Sequence, residues 1–149
     1  MRLEDEIQTK AFGSERQKLH VNLIYTSNWG QSRAAKTFSM HGITAQQYNI
    51  LRILRGQFPK PCNIQLLKER MLDKQPDVSR LIDRLVQKNL ANRKVCLEDR
   101  RKMDILITET GLELLASMQA DVDAFGDWAN HLNDDEVLQL NTLLDKLRG

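Results

Sequence analysis

Arg80 and Arg84 lie four residues apart in a stretch with helical spacing, so their guanidinium groups project from one side, a turn apart. A guanidinium is a planar fork of donors that fits a phosphate or the O6 and N7 acceptors of guanine. Just upstream, Gln75, Asp77 and Ser79 supply short polar side chains of the kind that meet base edges near the start of a recognition helix. Downstream comes a basic run, Arg100-Arg101-Lys102, suited to backbone phosphates or a narrow minor groove. These residue types recognise a polyanion; they do not make or break bonds.

Other chemistries find little footing. His20, His41 and His131 are scattered, with no carboxylate or cysteine at ligand spacing, so no metal site is expected. Cys62 and Cys96 match neither a disulfide framework nor a metal motif, which points to a reduced, cytoplasmic protein. Whether either thiol senses redox state is left open by their spacing. The acidic C-terminal region carries no nucleophile–base pair and no phosphate loop, so neither catalysis nor a cofactor is expected. No apolar run has signal-peptide or membrane-spanning length. The net charge of +2 hides a strong segregation: residues 1–58 carry +4, residues 59–102 carry +6 and residues 103–149 carry −8. A basic middle beside an acidic end implies one surface facing a polyanion and another kept from it.

The elements that must hold these groups can be read from periodicity and punctuation. Ser14 with Gln17 predicts a capping box that opens a long helix towards Met40, ended by Gly42. Its apolar residues, among them Leu19, Ile24, Trp29 and Phe38, cover more than one face. Thr44 with Gln47 opens a second helix, stopped at Phe58-Pro59-Lys60-Pro61. Asn63 caps a short third helix, residues 72–75 form a turn, and Pro76 takes the first position of a fourth helix. Val78, Leu81, Ile82, Leu85 and Val86 give that helix one apolar stripe at i, i+3, i+4, i+7 and i+8. Asn89 accepts the left-handed conformation that ends it. Strands are expected over 93–97 and 103–108, joined by Glu98-Asp99-Arg100-Arg101-Lys102. Thr108 then caps a long fifth helix reaching Leu132, and Asn133 with Glu136 boxes the start of the last.

Two short helices, a tight turn, an outward polar face and a basic hairpin make a winged helix-turn-helix, and the fold class is mainly α. The sequence here resembles the MarR (multiple antibiotic resistance regulator) family. The pieces that carry the resemblance are Ile43-Thr44-x-x-Gln47, the run 78–85, Asn89-Leu90-Ala91-x-Arg93, Asp99-Arg100-Arg101 and Ile107-Thr108-x-x-Gly111. The chain departs from the family pattern at Asn89, where glycine is usual, and at Pro76, where a small hydroxylic residue is frequent.

The resemblance implies a single domain over 1–149, with the winged lobe at 44–108 and dimerisation helices at 1–42 and 109–149. It implies a homodimer on double-stranded DNA, reading a pseudo-palindromic operator through Gln75, Asp77, Ser79, Arg80, Arg84, Arg100 and Lys102. Asp99 is expected to brace Arg101 within the wing. A repressor relieved by a small aromatic or amphipathic effector is implied, with Tyr25, Trp29 and Tyr48 assigned to the effector pocket. The alternative from another class is a winged-helix module that docks on a protein partner.

Overall fold

The computed structural model describes residues 2–96 and 103–149. The expected wing contacts Arg100 and Lys102, and the pair Asp99 and Arg101, lie outside the described residues. The chain forms two compact units, one ending at Ala45 and the other beginning at Gln46.

The first unit contains a short helix α1 (Leu3–Glu6) and the long helix α2 (Glu15–Met40). Ser14 caps α2 as expected, its hydroxyl accepting from the Gln17 amide at 3.2 Å. The reciprocal bond falls one residue earlier than a capping box requires, because the Gln17 carboxamide accepts from the Gly13 amide at 2.8 Å. Gly42 adopts a φ of 70°, the left-handed conformation that its sequence position suggests. α1 left no mark in the sequence. It is held by buried Leu3, by a Lys18–Glu4 ion pair at 2.6 Å and by the Tyr25 hydroxyl donating to Glu6 at 2.8 Å. The bond from Lys18, aided by backbone donation, holds the Glu4 carboxyl below its ordinary range.

The second unit, from Gln46 onward, carries most of α3 (Ala45–Gln57), then α4 (Ile64–Arg70), α5 (Val78–Gln87), β1 (Ala91–Val95) and β2 (Met103–Ile107). After them come α6 (Glu109–Ser117), α7 (Gln119–Asp123), a 3₁₀ segment (Ala124–Ala129) and α8 (Asp134–Arg148). Ile50, Leu51 and Leu54 of α3, Leu67 of α4, Ile82 and Leu85 of α5 and Ile105 of β2 are all buried. Each such side chain stabilises the fold by about 1.5–3 kcal/mol. β1 and β2 pair antiparallel from Ala91 opposite Ile107 to Val95 opposite Met103. On the far edge of β2, Cys62 exchanges backbone hydrogen bonds with Ile105 at 2.7 and 2.8 Å, so β2 runs between two partners.

Three expectations are corrected. α5 begins at Val78 rather than Pro76, because the Asp77 carboxylate accepts from the Arg80 amide and makes Asp77 the cap. Pro76, which has no amide to satisfy, stands one residue before that cap. β1 starts at Ala91, two residues earlier than expected. Asn89 turns the chain with a φ of 56°, and the Leu90 amide closes onto Leu85, so pairing begins at once. The long fifth helix is interrupted at Met118 and tightens to 3₁₀ from Ala124. In that tighter winding, residues three apart lie over one another, and Phe125 and Trp128 meet with ring centroids 4.8 Å apart.

Candidate nucleic-acid interface

The site is built on α5. Its buried face is the stripe Val78, Leu81, Ile82 and Leu85, while Val86, expected on that stripe, is exposed. Arg80 and Arg84 are exposed on the other side, and Ser79 is half-buried. Gln75 precedes the helix on the exposed turn, where its backbone amide donates to Asp73 at 3.0 Å. Arg80, Arg84 and Ser79 are therefore presented by the helix, Asp77 starts it, and Gln75 stands on the approach to it.

Several residues not singled out in the sequence hold this helix in place. The Asn49 carboxamide accepts from the Leu72 amide at 2.9 Å, fixing the turn between α4 and α5 to α3. The Lys74 ammonium donates to the Lys68 and Glu69 carbonyls at 3.2 and 2.6 Å, closing the negative end of α4. At the other end of α5, the Thr108 hydroxyl donates to the Asn89 carbonyl at 2.7 Å and accepts from the Gly111 amide at 3.0 Å. Arg93 of β1 pairs with Asp83 of α5 at 2.9 Å. A basic residue on a strand with an acidic one on the preceding helix was a visible signal for this pair, but not a specific one.

The aromatic residues assigned to an effector fall in different units. Tyr25 and Trp29 are a turn apart on α2. The Tyr25 hydroxyl is engaged by Glu6, which raises its pKa above the ordinary phenol value. Arg33 lies over the Trp29 ring, 4.9 Å from its centroid. Tyr48 is half-buried on α3. A polar hollow of about 350 Å³ at α1 and the first turn of α2 is lined by Arg2, Glu4, Lys10 and Lys18 among others, and by neither Tyr25 nor Trp29.

Cys62 is fully buried at its backbone bridge, and desolvation raises its thiol pKa. Cys96 is half-buried. In the folded protein a maleimide should therefore modify Cys96 well before Cys62, as read by mass spectrometry of the digested adduct. Equal labelling rates would show that Cys62 is accessible. Among the described residues, no group of three or more His, Cys, Asp or Glu side chains could hold a metal ion, and no helix is long and apolar enough to cross a membrane.

An exposed basic helix face, set on a buried stripe and followed by a paired hairpin, defines a winged-helix transcription regulator. The sequence model of the MarR family matches residues 43–103, from two residues before α3 to the first residue of β2. A MarR transcription factor from Planctomyces limnophilus is 32% identical, with 91% of this chain and 98% of that one covered and a TM-score of 0.71. The chain belongs to the MarR family, whose members are transcription regulators and not enzymes. The fold is also that of S. aureus MepR in its DNA complex, at 22% identity, 86% and 94% coverage and a TM-score of 0.78. It is shared by Bordetella bronchiseptica BpsR, whose DNA binding is regulated by 6-hydroxynicotinic acid, at 22% identity, 86% and 99% coverage and a TM-score of 0.70.

Proposed function

We propose that this regulator acts in the cytoplasm as a homodimeric repressor that reads a pseudo-palindromic operator in double-stranded DNA and is released by a small aromatic or amphipathic effector. The observation that carries the reading is α5, which buries one face and presents Arg80 and Arg84 on the other. In this reading Gln75, Ser79, Arg80 and Arg84 meet bases or phosphates in the major groove, while Arg100 and Lys102 of the wing reach the backbone. Asp77 starts the helix with one carboxylate oxygen and offers the other to a cytosine amino group.

The apolar surface supports the dimer. Leu138, Leu140, Leu143 and Leu147 of α8 are 67, 46, 54 and 53% exposed, and Leu19, Ile24 and Trp29 of α2 are also exposed. A second copy covering them would recover much of the burial energy of each leucine. The DNA complex of MepR supports the nucleic-acid partner, and the regulation of BpsR by an aromatic acid supports the effector class. Tyr25 and Trp29 are the aromatic surface that α2 offers to such a molecule.

Operator selection from a random duplex pool at physiological salt tests the reading. An inverted repeat with half-site centres about 34 Å apart is expected. Weak, sequence-blind binding would favour a protein-docking module instead. On the selected operator, Arg80→Ala should cost about 1–3 kcal/mol and relax preference at one base position. An unchanged affinity in a titration would remove Arg80 from the interface.

A further inference from the structure

We propose that the Asp83–Arg93 ion pair sets the angle between the recognition helix and the wing, making both residues positioning residues for DNA binding. This rests on the DNA-binding reading above.

The strand register carries the argument. Residues directly opposite one another in an antiparallel pair point to the same side of the sheet. Arg93 stands opposite Ile105, which is completely buried, and its neighbour two residues back, Ala91, is buried opposite Ile107. Position 93 therefore lies on the same side of β1 as Ala91, but past the buried end of the strand, and Arg93 is exposed there. An arginine on that side can leave its head in water or carry it across to the preceding helix. Here it is paired: Arg93 Nη1 donates to Asp83 Oδ1 at 2.9 Å, with the two side chains 33 and 53% exposed. The guanidinium of Arg93 thereby reaches Asp83, in the middle of α5.

The pair also decides what Asp83 does. Asp83 is three residues from Arg80 and adjacent to Arg84, so it flanks the basic face of α5. Turned towards DNA it would repel phosphate, and turned along the helix it would engage Arg80. Held by Arg93 it does neither. In sequence β1 leads towards the basic run Arg100-Arg101-Lys102, so the same ion pair aims the strand that carries it relative to the helix. An exposed pair of this kind adds little to global stability, which separates positioning from folding.

Asp83→Asn gives the decisive sign. If only charge mattered, removing an acid beside the DNA would tighten binding. If the pair positions the wing, Asp83→Asn should weaken binding to the selected operator by about tenfold, the scale of a single specific base interaction. The slope of log affinity against log salt should become shallower by about one for each phosphate that the wing no longer reaches. Arg93→Gln should do the same, and the two effects should not add in the double variant. Arg93→Lys, which keeps the charge, should recover part of the affinity. Thermal midpoints close to wild type would show that each variant folds. Tighter binding by Asp83→Asn, or additive effects in the double variant, would overturn the proposal. If the wild-type protein selects no operator, the DNA-binding reading itself falls and this proposal with it.

Discussion

Replacing Gly111 by alanine is expected to destabilise the protein by about 3 kcal/mol, the upper part of the range for overpacking a tight site. A Cβ on Gly111 would stand 2.3 Å from the Leu90 carbonyl oxygen and 2.7 Å from Cγ1 of Ile107. The first of these is backbone, and it cannot move aside freely. The Leu90 carbonyl accepts from the Thr108 amide at 3.2 Å, and the Thr108 hydroxyl bridges the Asn89 carbonyl and the Gly111 amide. Thr108 therefore ties the end of α5 to the start of α6, and α6 can approach so closely only because residue 111 has no side chain. Gly56→Ala provides the contrast. Nothing lies within 4 Å of a Cβ there, and the residue is in α3, so alanine should stabilise by up to about 1 kcal/mol. Thermal unfolding of both variants at one protein concentration checks the pair of signs. A Gly111→Ala midpoint equal to wild type would mean that this junction yields without cost.

Ile107-Thr108-x-x-Gly111 was legible in the sequence as a motif, but its physical reason was not, because the close approach joins residues from two elements. What periodicity governs was readable. The α5 stripe, the inward Ile105 and Ile107 of β2, the caps Asn63 and Asn133 and the left-handed Asn89 all follow from local rules. What was missed depends on tertiary partners. A single-residue pairing such as Cys62 with Ile105 leaves no alternating pattern to detect. Lys74 looked like one more cation in a basic stretch, yet its ammonium closes α4. The break after α6 was hidden because Met118, Val122 and Phe125 keep helix-compatible spacing, with only Gly126 as a local mark. Within the candidate site, the exposed arginines could be named from spacing alone. The pairing of Asp83 with Arg93 could not, since either residue had other charged neighbours within reach.

Charge segregation leads to the largest effect expected of this protein. Exposed Lys68, Arg70, Arg80, Arg84 and Lys94 lie in the described part of the basic stretch, and the wing adds to them. Lys74 and Arg93 are already engaged within the fold. In the proposed dimer two such lobes would bring about six to ten phosphate contacts within reach, and operator affinity should then fall by about 10³–10⁵ between 50 and 200 mM salt. The chain's net charge of +2 would not produce so steep a response if it were spread evenly. The slope instead counts the cations that displace counterions locally, a count to which the C-terminal stretch, at −8, would not add. Titrations of the selected operator at several salt concentrations measure it directly. A slope of about −5 to −9 would match six to ten phosphate contacts. A nearly flat response would mean that the arginines of α5 do not meet a polyanion, and the surface would then belong to a protein partner.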